Sequence, residues 1–391
     1  MMSFNSMKIG LFTDIHLDVD YNETGPIDNH CHSSNNPLKD YAKFGRHGCD
    51  SPIPLMEAIT KNLSSVLSKR DLMIYMGDSV AHCQLLYPDQ PFNQTQYEIV
   101  KNTIRIVAQN AIDTFKSIIL FCFGNNDYLY DYQVPDLNHK NDFYSYVYIY
   151  WIKNNPMMSQ FDTRENLASF IAGGFYSIEY KDNVFLILNS QYFSVRNKND
   201  LAVADVQLNW LENQLSNISQ RQKSAILVMH MPPGTFQTPM GSETFWKDEY
   251  TQKYFAIYSK YRSLIKLTIV GHVHASIYHV DVVQTLLRYR ETFINNVYVG
   301  RAISPIYENN PGFHILTLDN YNNPVSIEES TFFLDDTINK TDPIPYFKNE
   351  YSSIIDLLMK DLSGSSIQQF NIRYNTNPAF KALWDRLKFG L

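Results

Sequence analysis

Five short polar motifs carry the residue types that could do chemistry: Asp14-Ile15-His16, Gly77-Asp78, Gly124-Asn125, His230 and Gly271-His272-Val273-His274. Each sits at the end of an apolar run. Between them they offer two Asp, one Asn and four His, an oxygen and imidazole donor set that suits two adjacent divalent ions such as zinc, manganese, iron or magnesium. Asp14, His16 and His274 would hold one ion, and Asn125, His230 and His272 the other. Asp78 is the candidate bridge, because a carboxylate has two oxygens. Ions paired in this way lie roughly 3.5–4 Å apart, activate a bridging water and clamp the oxygens of an in-line displacement. The chemistry to expect is hydrolysis of phosphate esters by attack of a metal-bridging hydroxide.

Taken singly, these motifs say little, since most Asp-x-His triplets are solvated loops. Their shared placement carries the argument. Strand-length apolar runs recur at Ile9–Phe12, Leu72–Met76, Ile118–Phe123, Val184–Leu188, Ala225–Met229 and Leu267–Val270. They read as strands buried on both faces. In such sheets ligands bind outside the carboxyl ends of the strands, which is where Asp14, His16, Asp78, Asn125, His230, His272 and His274 fall. Gly77, Gly124 and Gly271 would permit the sharp exits.

Helix patterns separate the runs. Pro54 can open one in its first turn, with Leu55, Ile59, Leu63 and Val66 on one face. Val100, Ile104, Val107 and Ala111 mark a second, and Val206–Leu215 a third. After Gly271 the runs Ile277–Val282, Asn296–Val299 and Phe313–Leu318 lack intervening helices, which predicts a second, more antiparallel sheet packed on the first. From about Thr341 the pattern turns helical, with Ile354, Leu357, Leu358 and Leu362 on one face and a last helix over Phe380–Leu387. The expected organisation is an α/β catalytic domain over residues 7–340 and a small C-terminal helical appendage over 341–391.

The 391 residues, 44% of them apolar, are enough for a large core. A net charge of −7 and no basic stripe argue against a nucleic-acid duplex as partner. No apolar stretch is long enough to span a bilayer, and the first residues lack the apolar core of a signal peptide. A monomer is expected. The Asn-x-Ser/Thr sites at Asn22, Asn62, Asn93, Asn217 and Asn339 are about what chance gives in an Asn-rich chain, so glycosylation is left open. Of the cysteines, Cys31 and Cys49 lie in a polar, turn-rich segment where a bridge could contribute about 3 kcal/mol. Cys122 reads as a buried thiol, and four free cysteines remain an alternative. His30, His32, His47 and His139 read as surface residues, and His279 and His314 as structural ones. Aromatic residues at Tyr128, Tyr130, Tyr132 and Tyr192-Phe193 could stack on a base or face a choline cation, but packing is the favoured reading.

The set Asp14-Ile15-His16, Gly77-Asp78, Gly124-Asn125-Asn126-Asp127 and Gly271-His272-Val273-His274 resembles the signature of the calcineurin-like metallophosphoesterases. Finer detail is similar to the acid sphingomyelinase-like phosphodiesterases: Asp14-Ile15-His16-Leu17-Asp18 with Tyr21, Cys49-Asp50-Ser51-Pro52, Gly77-Asp78-Ser79-Val80-Ala81-His82, Gly173-Gly174-Phe175-Tyr176-Ser177, Trp210-Leu211-Glu212 and Asn310-Pro311-Gly312. The resemblance covers about Lys8 to Asp319. It implies a four-layer αββα sandwich, a di-zinc centre, a Cys31–Cys49 disulfide and a secreted or endolysosomal location, with the cytoplasm as alternative. It also implies that His82 contacts the phosphate and protonates the leaving group; the bland reading of His82 is a surface histidine beside Cys83.

The chain departs from the family at Asn126, where the pattern has a His that binds phosphate and is a second candidate acid. Asn can hold a phosphoryl oxygen but cannot give up a proton. Unless His82 carries that role alone, a loss of ~10²–10⁴-fold is expected. The sequence shows neither a saposin-like domain nor a cysteine-rich tail, so soluble phosphodiesters or nucleotides, of nucleoside triphosphate or CDP-choline type, are better expected substrates than sphingomyelin-like phosphocholine esters. The alternatives are a phosphomonoesterase with the same centre, or a phospholigand-binding protein of reduced activity.

Overall fold

The computed structural model describes residues 6–238, 241–275, 277–284, 292–340, 347–349, 376–379 and 381. In chain order the strands are β1 (Met7–Phe12), β2 (Leu72–Tyr75), β3 (Ile118–Phe121), β4 (Tyr176–Tyr180), β5 (Asn183–Ile187), β6 (Ser224–Val228), β7 (Thr235–Thr238), β8 (Gly241–Thr244), β9 (Ile265–Val270), β10 (Ile277–Gln284), β11 (Thr292–Val299), β12 (Gly312–Leu318), β13 (Pro324–Phe332) and β14 (Phe347–Asn349). The helices are α1 (Ile53–Ser65), α2 (Gln94–Thr114), α3 (Lys140–Tyr148), α4 (Arg164–Gly173), α5 (Ala202–Gln220) and α6 (Asp248–Tyr261).

Two six-stranded sheets form the centre, in the orders β14-β13-β12-β1-β2-β3 and β10-β11-β9-β6-β5-β4, with β7 and β8 as a separate hairpin. Helix α1 packs on β12 and on α2, while α5 packs on β5, β6 and α6. Both sheets are thus flanked by helices in the expected αββα sandwich. The six apolar runs do not share one sheet, however. β1, β2 and β3 form a parallel trio in the first sheet, and β5, β6 and β9 a parallel trio in the second. The later strands also divide: β10 and β11 extend the second sheet, whereas β12 returns antiparallel to β1 in the first. Hydrophobic periodicity reports burial and not partner choice, so this division was invisible in the sequence.

Local signals place the helices as their chemistry requires. Asn93 caps α2 by accepting from the Gln96 N–H, and Thr163 caps α4 by accepting from the Asn166 N–H. Gly174 ends α4 at φ +74, in the left-handed conformation that favours glycine. Val66 is the C-cap of α1 and is exposed, so it falls outside the buried face formed by Leu55, Ile59 and Leu63. Most of residues 341–391, including the predicted helical face at Ile354–Leu362 and nearly all of Phe380–Leu387, lies outside the described residues. Phe347–Asn349 pairs with β13 as an edge strand.

One apolar core runs through both sheets. Trp151, in a π-helical turn that continues α3, is fully buried against it. Its ring stacks on Phe121 at 4.7 Å and on Tyr75 at 5.7 Å, so it holds the α3 extension against β2 and β3, the strands that lead to Asp78 and Asn125. Trp151→Ala should destabilise the protein by about 3–5 kcal/mol, measured as a lower urea midpoint.

Candidate metal centre and active-site cleft

The loops that follow β1, β2, β3, β6 and β9 meet at one rim. They are stitched by main-chain hydrogen bonds: Asp14 N–H to Gly77 O at 2.9 Å, His16 N–H to Asp78 O at 2.9 Å and Gly271 N–H to His230 O at 2.9 Å. Asp127 adds a carboxylate staple, accepting from the N–H groups of Asp78 (2.9 Å), Ser79 (2.6 Å) and Gly124 (2.7 Å). The three glycines do not all act alike. Gly77 takes a left-handed turn at φ +90, whereas Gly124 serves through space, since a Cβ there would strike the Asp78 carboxylate.

Five of the donor residues are themselves left-handed: Asp14 (φ 51), His16 (φ 44), Asp78 (φ 62), His272 (φ 72) and His274 (φ 55). For residues other than glycine this costs roughly 1–2 kcal/mol each. Such strain persists only where the surroundings over-determine it, and it is typical of functional sites.

All seven expected donors converge, in two sets. His16 Nε2 lies 3.2 Å from His274 Nε2 and 3.8 Å from Asp14 Oδ1, which is 3.3 Å from His274 Nε2. His230 Nε2 lies 3.1 Å from Asn125 Oδ1 and 3.2 Å from His272 Nδ1. Asp78 Oδ2 stands between the sets, 3.4 Å from His16 Nε2 and 3.2 Å from His230 Nε2. Asp78 Oδ1 accepts from the Asn126 N–H at 2.7 Å, so Oδ2 is the oxygen that faces both sets.

Hydrogen-bond polarity tests whether this cluster fits cations. His16 Nδ1 faces the Val80 carbonyl at 3.1 Å, and His230 Nδ1 faces the Met76 carbonyl at 2.7 Å. A carbonyl can only accept, so Nδ1 carries the proton in each ring and Nε2 presents a lone pair. Asn125 donates its amide N–H to Asn126 Oδ1 at 2.6 Å, which turns Asn125 Oδ1 toward His230. Acceptors therefore face acceptors in a buried site, an arrangement that two cations resolve. The outer partners fix ring tautomers as they do around metals.

Charge gives the same reading. Burial opposes protonation of His16 and His230, yet the Asp14 and Asp78 carboxylates outweigh it and lift both to about 9. Burial and the charge of His230 push His272 down to about 3. Burial also raises Asp78, but His230 and His16 outweigh it and lower the carboxyl to about 2. Protons on His16 and His230 thus occupy the positions cations would take.

Beside the centre opens a cleft of about 540 Å³. His82 lines it and stacks on His16 at 4.1 Å between ring centroids. His82 Nδ1 is 3.1 Å from both oxygens of buried Asp50, whose Oδ2 also accepts the His82 N–H at 2.8 Å. Ser304 donates to Asp50 Oδ1 at 3.0 Å. Burial would raise the Asp50 carboxyl, but His82 and His16 outweigh it and lower it to about 2. Asp50 therefore fixes the ring so that Nε2 lies on the cleft side, 3.5 Å from the Tyr307 hydroxyl. Asn126 is fully buried, and its Oδ1 orients Asn125, so a positioning role joins the expected grip on phosphate.

Asp50 thus has a positioning role that its motif, Cys49-Asp50-Ser51-Pro52, only signalled. Asp127 lay in a quoted motif as well. Tyr307 and Arg196 had no local signal; Arg196 covers the Tyr132 ring at 4.3 Å on the cleft wall. Tyr128, Tyr192 and Phe193 are core residues, as expected of packing aromatics. His314 is buried and 3.1 Å from Glu329, in accord with a structural role. His32 departs from expectation: it is no bare surface residue but pairs with Asp18 at 2.8 Å. Cys31 and Cys49 are bridged, while Cys83 and Cys122 are free.

A family model described as calcineurin-like phosphoesterase matches residues 7–276. The chain belongs to that family. Among curated relatives, it is similar to a sphingomyelinase phosphodiesterase D of Dictyostelium discoideum, 26% identical over 79% of this chain and 63% of that protein. It is likewise similar to a human cyclic GMP-AMP phosphodiesterase, 26% identical over 78% of this chain and 66% of that protein. A human acid sphingomyelinase-like phosphodiesterase 3b is 24% identical over 88% and 71%, respectively. The resemblance to the acid sphingomyelinase-like branch is borne out, and the chain spans a little under two-thirds of the length of the first two relatives. No helix among the described residues is long and apolar enough to cross a membrane.

Imidazole must be neutral to bind a cation, so metal affinity should rise with pH until His16 and His230 have lost their protons near pH 9. Loading at pH 7 should release about two protons per chain. Calorimetric zinc titrations in buffers of different ionisation enthalpy measure this release; pH-independent affinity would contradict it.

Proposed function

We propose that the protein is a binuclear metal-dependent phosphodiesterase of soluble phosphodiesters or nucleotides, with zinc as the expected metal. One observation carries the reading: seven donors converge as two sets that share Asp78 Oδ2, at the edge of an open cleft. Asp14, His16 and His274 would hold one ion and Asn125, His230 and His272 the other. Such a pair supplies Lewis acidity toward phosphate oxygens and a nucleophilic water at neutral pH.

The protein's own groups complete the chemistry. His82, held through Nδ1 by Asp50, presents Nε2 to the cleft and can hand a proton to the departing oxygen. Asn126 keeps Asn125 Oδ1 directed at the His230 side and offers its amide to a phosphoryl oxygen. On the cleft lining, Arg196 over Tyr132, together with Phe245, provides a cationic and aromatic surface for the alcohol portion of a nucleotide. The names of the relatives, a sphingomyelinase phosphodiesterase and a cyclic GMP-AMP phosphodiesterase, support a diester substrate. The Cys31–Cys49 disulfide supports a secreted or endolysosomal setting.

Hydrolysis of bis-p-nitrophenyl phosphate and of p-nitrophenyl phosphate, before and after chelation, tests the reading. Diester turnover should vanish on chelation, return with zinc or manganese and be lost in His230→Ala. His82→Ala should slow hydrolysis by about 10²–10⁴-fold for a poor leaving group and much less for nitrophenolate. Preference for the monoester would make the protein a phosphomonoesterase. No turnover of either ester with both metals bound would favour a phospholigand-binding protein.

A further inference from the structure

Three side chains outside the candidate centre converge in the loops that follow β1 and β2. Asp18 lies two residues beyond His16, His32 directly follows Cys31, and Cys83 directly follows His82. His32 Nε2 is 2.8 Å from Asp18 Oδ2, and Cys83 Sγ is 3.8 Å from that nitrogen and 4.0 Å from that oxygen. One donor atom from each of three distant segments thus meets at a single point.

The surroundings hold each donor in place. The Asp18 N–H is bonded to the Ser51 carbonyl at 2.8 Å. Asp18 Oδ1 accepts from the Asp20 N–H at 3.0 Å, which leaves Oδ2 for the cluster. The His32 N–H donates to the Asn29 carbonyl at 2.9 Å, and the preceding residue is tied to Cys49 by the disulfide. Cys83 sits in the short turn His82–Gln84, whose first N–H is held by Asp50.

Two ordinary readings fail, the first on geometry and the second on charge. A Cys-His-Asp relay needs one ring nitrogen on the sulfur and the other on the carboxylate, but here the same Nε2 faces both. A reactive thiol needs a lowered pKa, whereas burial, with the charges of Asp18 and Asp50, pushes Cys83 up to about 12. Convergence of carboxylate, imidazole and thiol on one point is instead the donor geometry of a metal. Tetrahedral zinc, with bonds near 2.0 Å to nitrogen or oxygen and 2.3 Å to sulfur, sets its ligands roughly 3.3–3.6 Å apart. The cluster reaches this if the Asp18–His32 edge opens by about 0.5 Å and the sulfur edges close slightly.

We infer that Asp18, His32 and Cys83 form a separate mononuclear site for a thiophilic divalent cation, foremost zinc, with a fourth position open to water. His32 is 27% exposed on its side chain and Cys83 is half-buried, which leaves that position a path to solvent. The thiol excludes magnesium and calcium as preferred occupants. A cation here would tie the loop carrying Asp18, the segment after Cys31 and the turn carrying His82 to one another. The inference does not depend on the binuclear reading.

Cobalt(II) titration of the chelator-stripped full chain, followed by absorption and by metal analysis, tests it. A cobalt–thiolate charge-transfer band in the near ultraviolet can come only from this cluster, because Cys31 and Cys49 are bridged and Cys122 is buried in the core. One equivalent of cobalt should build that band. Cys83→Ser should abolish it and lower the bound metal by one equivalent, while His32→Ala should weaken the band's titration at least about tenfold. The d–d absorption of cobalt at the two other positions should persist in both variants. Absence of the band from the wild-type protein at saturating cobalt would overturn the inference, as would a band that survives Cys83→Ser. Should the binuclear reading fail instead, the d–d absorption of the other positions would be missing and the thiolate band retained.

Discussion

The structure depends on one electrostatic constraint: Asp14, His16, Asp78, Asn125, His230, His272 and His274 each hold a polar atom within about 3–4 Å of a neighbouring donor, most of them buried beside the cleft. Left to themselves these groups repel. Two features keep them together. Main-chain carbonyls of Val80 and Met76 accept from Nδ1 of His16 and His230, so Nε2 is the nitrogen that each ring turns toward the centre. Five of the donors also adopt left-handed backbone, which aims short side chains inward from sharp strand exits. Only a rigid frame maintains such geometry, and two parallel strand trios whose carboxyl ends open on one rim provide it.

The same constraint explains why residues that touch nothing reactive matter. Asp127 spends its carboxylate on three N–H groups of the Gly77–Asp78 and Gly124–Asn125 turns, which fixes the distance between the β2 and β3 exits. Gly124 leaves room for the Asp78 carboxylate to approach the neighbouring loop. Asn126 sets the amide orientation of Asn125, and Asp50 sets the ring of His82. In each case a buried polar side chain removes rotational freedom from a group whose lone pair must point one way. The net negative charge of the chain makes local organisation essential, since a phosphate substrate would otherwise be repelled.

The donors were legible in the sequence because their chemistry is local: a Gly, an Asp or a His at the end of a β-branched run already implies a strand exit. The helices around Leu55–Leu63 and Val100–Ala111 were legible for a similar reason, since an apolar stripe at helical spacing reports its own burial. Partner choice was not legible. Nothing in Phe313–Leu318 says that β12 lies beside β1, and nothing in Ile277–Val282 says that β10 extends the other sheet, because both runs satisfy the same apolar pattern. The roles of Asp50 and Asp127 were hidden because each acts mainly on residues distant in sequence, His82 for the one and Asp78 and Ser79 for the other. His32 was misread for that reason too, its partners being Asp18 and Cys83.

The central claim is that one carboxylate oxygen, Asp78 Oδ2, joins two cation sites. Anomalous X-ray scattering at the zinc edge from crystals of the zinc-loaded protein tests it most directly. Two strong peaks are expected roughly 3.5–4 Å apart, one beside Asp14, His16 and His274, the other beside Asn125, His230 and His272, with Asp78 Oδ2 touching both. A single peak in this centre, or two peaks that Asp78 does not join, would contradict it.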